Sequence, residues 1–191
     1  MDKKLLKMLI SCGLFLLSFN LTVLANTLSD WNLRNPFPQG NSLGSIIYGN
    51  GIFVTIGYGG TILTSTNGIT WIKQNSEISK ELDGIAYGNN EFVAVGQDGT
   101  ILTSTNGITW IRRKSGITNA LFGITYGNNK FVAVGSKGII LTSFDGIHWA
   151  KEISGFTDWF SSITYGKKTF IIVGNGGTIL QSAPISDTKS H

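Results

Sequence analysis

The sequence is poor in cysteine, proline, histidine and charge. Its single cysteine, Cys12, falls within the first 25 residues. The remaining residues, 26–191, hold no thiol, which excludes a cysteine nucleophile or a thiolate metal centre there. A thiol-free chain suits an oxidising compartment, where a lone free cysteine is a liability. Prolines number 3, and charged residues make up only 14% of the chain against roughly 25% in average proteins. These shortages exclude a collagen-like chain, a proline-rich linker and a charged disordered tail. The two histidines are His148 and His191, and no His, Asp or Glu cluster has metal-ligand spacing. No glycine-rich phosphate loop opens a helix, so the sequence predicts neither metal nor cofactor.

What the chain has is glycine and apolar side chains. Glycine accounts for 25 of 191 residues, and 41% of the chain is hydrophobic, with 5 Trp, 5 Tyr and 11 Phe. That is enough for a core, and so much glycine with so little proline points to an all-β chain with many tight turns. The formal net charge of +4 divides evenly. Lys3, Lys4 and Lys7 against Asp2 give half of it, and the rest of the chain carries 12 basic and 10 acidic residues. A nearly neutral body argues against a nucleic-acid partner, which needs a clustered basic face. The one basic run, Arg112-Arg113-Lys114, reads as a solvated strand end.

Residues 1–25 read as a secretory signal peptide. Three lysines precede an uncharged apolar stretch from Met8 to Phe19, and Val23-Leu24-Ala25 places small residues for cleavage before Asn26. The alternative is a retained anchor, but Ser11, Gly13, Ser18, Asn20 and Thr22 weaken the stretch as a span. The expected product is exported, to the periplasm or the extracellular space, with no membrane span left after cleavage.

Residues 26–182 are repetitive. Tyr48, Tyr87, Tyr126 and Tyr165 recur every 39 residues, as do Phe53, Phe92, Phe131 and Phe170. Trp71, Trp110 and Trp149 keep the same step, and Gly60–Ile72 and Gly99–Ile111 are identical over thirteen residues. Each unit carries four short strand signals. In the second unit these are Gly84–Gly88, Glu91–Val95, Thr100–Ser104 and Thr109–Arg113, divided by Asn89-Asn90, by Gly96–Gly99 and by Asn106-Gly107. An Asn-Gly pair predicts a two-residue hairpin with positive φ at both positions, and it recurs at Asn67-Gly68 and as Asp145-Gly146. Four antiparallel strands in about 39 residues make a β-propeller blade. The units fall at 43–81, 82–120, 121–159 and 160–182, and 183–191 is a polar tail.

The fourth unit ends after its third strand. Residues 29–34 hold an orphan fourth strand, because Trp31 precedes Tyr48 by 17 residues where every later Trp precedes its Tyr by 16. The expectation is four four-stranded blades closed into a ring when this N-terminal strand joins the last blade, which removes open edges. The alternative is an open half-ring whose homodimer makes eight blades.

The pattern Ser65-x-Asn67-Gly68-x-Thr70-Trp71, repeated from Ser104 to Trp110 and, with Asp145 and His148, from Ser143 to Trp149, resembles the Asp-box or BNR repeat. The phrase YGNN-x-FVAVG is similar to exported bacterial propellers described as sialidase-like or photosystem II assembly-factor-like. The resemblance spans residues 30–182. It implies that Asn67, Gly68, Asn106, Gly107, Asp145 and Gly146 shape turns and that Trp31, Trp71, Trp110 and Trp149 pack between blades. Sialidases of that group hold a carboxylate with three arginines. Here Arg112 and Arg113 are strand neighbours pointing to opposite faces and cannot converge with Arg34, so no catalytic residue is assigned and no enzyme is expected.

The loops entering the first strand and those joining the second and third strands vary between units, while the other turns barely change. Phe37, Tyr58, Gln97, Asp98, Lys137, Phe156, Trp159 and Asn175 lie in them and form the candidate contact face. Aromatic side chains there suit a protein partner; a glycan, on which aromatic faces stack, is the alternative, and a hydrolase built on two carboxylates is a third reading for which no spacing singles out a pair.

Overall fold

A computed structural model describes residues 31–34 and 40–184. The leader, its cleavage point, Ser29, Asp30, Phe37 and the tail from 185 lie outside the described residues. The chain divides into two units, 1–34 and 35–191. In the first, Trp31–Arg34 form no strand, and Trp31 and Leu33 are exposed.

The described residues of the second unit form strands and tight turns. Its first sheet holds β1 (Leu43–Gly49), β2 (Ile52–Gly57), β3 (Ile62–Ser65) and β4 (Ile72–Gln74). The second holds β5 (Leu82–Gly88), β6 (Glu91–Gly96), β7 (Ile101–Ser104) and β8 (Ile111–Arg113). The third holds β9 (Leu121–Gly127), β10 (Lys130–Gly135), β11 (Ile140–Ser143) and β12 (Ala150–Glu152). The fourth has, among the described residues, three strands: β13 (Phe160–Gly166), β14 (Thr169–Gly174) and β15 (Ile179–Gln181). Every sheet is an antiparallel meander in sequence order, as the 39-residue period requires.

Burial explains the strand sequences. The second strand of an inner sheet is covered on both faces, so Phe92-Val93-Ala94-Val95 is apolar throughout and fully buried. The outermost strands, such as β8 and β12, are exposed and carry the charge. Apolar clusters fill the joints between successive sheets. Val54, Ile56 and Ile62 of the first sheet meet Leu82, Phe92, Leu102 and Trp110 of the second unit. Val93, Val95 and Ile101 meet Leu121, Phe131 and Leu141. Val132 and Val134 meet Phe160, Ile163 and Phe170. Trp110 thus packs between blades, and Trp149 does the same one joint further on.

One expectation needs correction. The tight hairpins with positive φ at both central residues join the first and second strands: Asn50-Gly51 (47° and 77°), Asn89-Asn90 (49° and 59°), Asn128-Asn129 (47° and 57°) and Lys167-Lys168 (48° and 61°). At Asn106-Gly107 only the glycine has positive φ, 71°. There the connection from β7 to β8 runs through six residues, 105–110. It is held by side chains: Gly107 N donates to Ser104 Oγ at 2.8 Å, and Asn106 Oδ1 accepts from Ile108 N and Thr109 N, each at 2.9 Å. The Trp110 indole folds back to donate to Gly107 O at 2.9 Å, which needs the wider loop. Asn67 and Asp145 accept the equivalent bonds, so the Asn/Asp interchange leaves the turn intact. Asp145 also meets His148 Nδ1 at 2.7 Å, and that bond with the His148 backbone N–H holds its carboxyl well below the usual carboxylate range.

Among the described residues the fourth sheet has three strands, and Ser29 and Asp30 of the expected closing strand lie outside them.

Candidate partner-binding face

The four inner strands β1, β5, β9 and β13 line a common cavity of about 300 Å³ that includes Asp83, Phe122 and Ser161. At one end of it, the turn between the second and third strands of each unit meets the loop entering the first. Tyr58 N donates to Ser42 O, Gln97 N to Glu81 O, Ser136 N to Ala120 O and Asn175 N to Trp159 O, all at 2.9–3.0 Å. In the first three units the loop leaving the blade closes over the same turn: an added Cβ on Gly99 would lie 2.3 Å from Ile117 O. The two variable loop sets therefore share one face, because the backbone of one satisfies the other.

The sequence-assigned residues divide within this face. Tyr58 is exposed in the first such turn, and Lys137 holds the positive-φ position of the third. Asp98 pairs with Lys80 at 2.7 Å, and Gln97 Nε2 donates to Asp83 Oδ2 at 3.1 Å, so both already have partners within the chain. Trp159 and Phe156 are brought together with others. Trp159 lies 5.7 Å from the Phe122 ring while remaining 53% exposed, and Phe156 meets Phe160 edge-on at 6.4 Å. Asn175 contributes its backbone to this corner.

Three features of the face escaped the sequence reading. Phe122 stands where the other units have Gly44, Asp83 and Ser161, a unit-specific aromatic hidden inside a strand signal. Asp83, at the mouth of the channel, is pushed up to about 6 by burial, with Glu81 adding to the effect and the Gln97 amide opposing it. Finally, Arg112, Arg113 and Lys114 join Lys151 around an open groove of about 850 Å³. Arg113 is pinned there by its Nε bond to Thr103 Oγ1 at 2.9 Å, while Arg112 and Lys114 are exposed. The basic run thus borders a groove beside the loop that leads into Phe122.

The Asp83 shift gives a pH dependence with a definite sign. Its folded-state value lies above the unfolded one near 3.8, so the folded chain binds that proton more tightly. The resulting stabilisation is absent well above pH 6, grows as pH falls through 6 and is complete below about 4. Asp83→Asn removes this dependence. After allowance for a carboxyl half open to water, it raises stability at pH 7 by about 1 kcal/mol relative to the parent. Paired urea titrations at pH 7 and pH 5 read the effect; a variant that loses stability at pH 7 refutes it.

Sheets in meander order around a shared axial cavity, with loops gathered at its mouth, define a β-propeller. Three solved structures agree. YCF48 from Cyanidioschyzon merolae is similar over 80% of this chain and 56% of its own, with 21% identity and a TM-score of 0.64. A structure of YCF48 bound to D1 peptide matches over 77% of this chain and 51% of its own, at 16% identity and a TM-score of 0.63. The computationally designed Ika4 protein matches over 80% of this chain and 98% of its own, at 15% identity and a TM-score of 0.64. The chain spans about half the length of the two YCF48 structures. No family model and no curated protein matches the sequence.

Proposed function

We propose that this chain is an exported, non-catalytic β-propeller that binds a segment of another protein across its loop face, as a binding or assembly module. The carrying observation is the Phe122–Trp159 pair, an aromatic step left half open at the channel mouth. Rigid aromatics of this kind anchor protein partners at low entropic cost. The groove with Arg112, Lys114 and Lys151 beside it favours an acidic flank on the bound segment. The structure of YCF48 bound to D1 peptide supports the reading, since a protein of the same fold takes a peptide ligand. Export is drawn from the lysine-led apolar leader.

The test is a peptide array of aromatic-plus-acidic twelve-mers run beside a glycan array. Peptide binding that weakens by about tenfold in Trp159→Ala, equivalent to about 1.4 kcal/mol, is the expected result. Glycan binding with no peptide binding transfers the face to carbohydrate, and unaltered affinity in Trp159→Ala removes the face assignment.

A further inference from the structure

The joints between successive sheets follow one rule, and the two ends of the chain carry its unmatched halves. At each internal joint, the last glycine of one inner strand lies under the tyrosine of the next. An added Cβ on Gly49 would lie within 3 Å of the Tyr87 ring, one on Gly88 of the Tyr126 ring, and one on Gly127 of the Tyr165 ring. Gly166, the fourth glycine of the series, meets nothing within 4 Å among the described residues. Tyr48, the first tyrosine, covers no glycine and is 59% exposed.

The apolar positions around the joint behave alike. Ile85, Ile124 and Ile163 are buried against the preceding sheet, whereas Ile46, their counterpart in the first, is 57% exposed. Ile56 and Ile62, and then Val95 and Ile101, are fully buried against the following sheet. Their counterparts in the fourth sheet, Val173 and Ile179, are exposed. One end is therefore the socket and the other the plug of an interface that the chain already makes three times within itself.

A second observation concerns the outer side. Between the third and fourth sheets lies a cavity of about 520 Å³ lined by Val132, Ile140, Phe170, Ile172 and Leu180. Counted back two repeats, these are Val54, Ile62, Phe92, Ala94 and Leu102, the residues that enclose Trp110. The repeat position of that tryptophan in the fourth unit is Thr188, outside the described residues. The unassigned tryptophan of the series is Trp31, and it is 88% exposed. In every internal unit the outer strand leads by a seven-residue loop into the inner strand of the adjacent sheet. By spacing alone, residues 32–34 stand eight residues before β1, so the repeat pattern assigns them to the sheet that precedes β1. Gly166 and Tyr48 are both uncovered among the described residues, so the first and fourth sheets do not make this joint with one another there.

We propose that the occupant of both ends is a second copy of this chain. Two copies join head to tail, Tyr48 of each seating on Gly166 of the other, and the Trp31 segment of each fills the outer cavity and completes the fourth sheet of its partner. The joint is heterologous, and two of them close a ring of eight blades, within the range propellers occupy. Exchange of the outer strand ties the copies by backbone hydrogen bonds as well as apolar burial.

Light scattering coupled to size exclusion tests this on the purified protein. The expected mass is that of two chains; a single-chain mass overturns the proposal. Gly166→Phe fills space that is open among the described residues, and Tyr48→Asp alters an exposed ring whose partner in the chain is Phe53 at 4.7 Å, so each keeps its far-UV spectrum while its dimer dissociates at a concentration about a hundredfold higher. Trp31→Ala weakens the dimer in the same direction. Mixing Gly166→Phe with Tyr48→Asp restores one intact joint and hence the two-chain mass at intermediate concentration. Failure of the mixture to associate, or a Gly166→Phe protein as dimeric as the parent, rules out the head-to-tail contact.

Discussion

Phe131→Ala lowers the free energy of unfolding by about 3–5 kcal/mol. Phe131 is fully buried, at the joint of the second and third sheets among Val93, Leu121 and Leu141. Its ring also rests 4.7 Å from that of Tyr126, so truncation removes an aromatic contact and leaves a cavity between strands that cannot collapse independently. A loss of this size is a large part of the roughly 5–15 kcal/mol that holds a domain of this kind. Urea denaturation followed by tryptophan fluorescence reports it as a midpoint lowered by more than about 1 M. A shift of a few tenths would show that the joint repacks, contrary to the rigidity argued here.

Gly127→Ala is the second large effect, and it comes with an internal control. A methyl group on Gly127 would lie 2.2 Å from Tyr165 Cγ, close to the backbone end of the ring, where the side chain has little room to yield. The third and fourth sheets must then separate, at a cost of about 1–3 kcal/mol or more. Gly166→Ala makes the same chemical change at the equivalent repeat position, where nothing lies within 4 Å among the described residues. Measured as single chains at low concentration, the first variant loses several degrees in Tm and the second stays within about one degree of the parent. Equal losses at both positions would show that the glycine requirement is one of strand conformation and not of the close ring.

Much of the fold was legible because the sequence repeats. A 39-residue period in Tyr, Phe and Gly fixes strand number and order, and the fully apolar Phe92–Val95 segment signals a strand covered on both faces. Turn chemistry was legible only in part. Asn106-Gly107 carries the familiar hairpin signal, yet the indole of Trp110 must reach back to Gly107 O, and side-chain capping by Ser104 and Asn106 replaces the two-residue turn. The tight geometry falls instead at the first-to-second-strand turns, at Asn50-Gly51 and at the plainer Asn89-Asn90 pair. Closure was legible only as two alternatives, a four-blade ring and an eight-blade homodimer. Trp31 is matched to a blade by counting, but counting does not say which chain the blade belongs to. In the candidate face, Trp159 stood out as a loop aromatic, whereas Phe122 was masked by an ordinary strand pattern and emerges only as its stacking partner. The basic run carried a charge signal, but the lysine that completes the groove, Lys151, lies 37 residues on.

The thirteen residues shared by Gly60–Ile72 and Gly99–Ile111 also bear on how the chain refolds. As β2 forms, it meets two outer hairpins offering the same Ile-Leu-Thr-Ser edge, its own and that of the next unit. Backbone pairing is identical with either. The shorter loop to its own hairpin favours correct pairing by only about 2 kcal/mol of closure entropy. Hairpins borrowed from a neighbouring unit, or from another molecule at high concentration, are therefore the natural kinetic traps of this chain, and refolding slows as protein concentration rises.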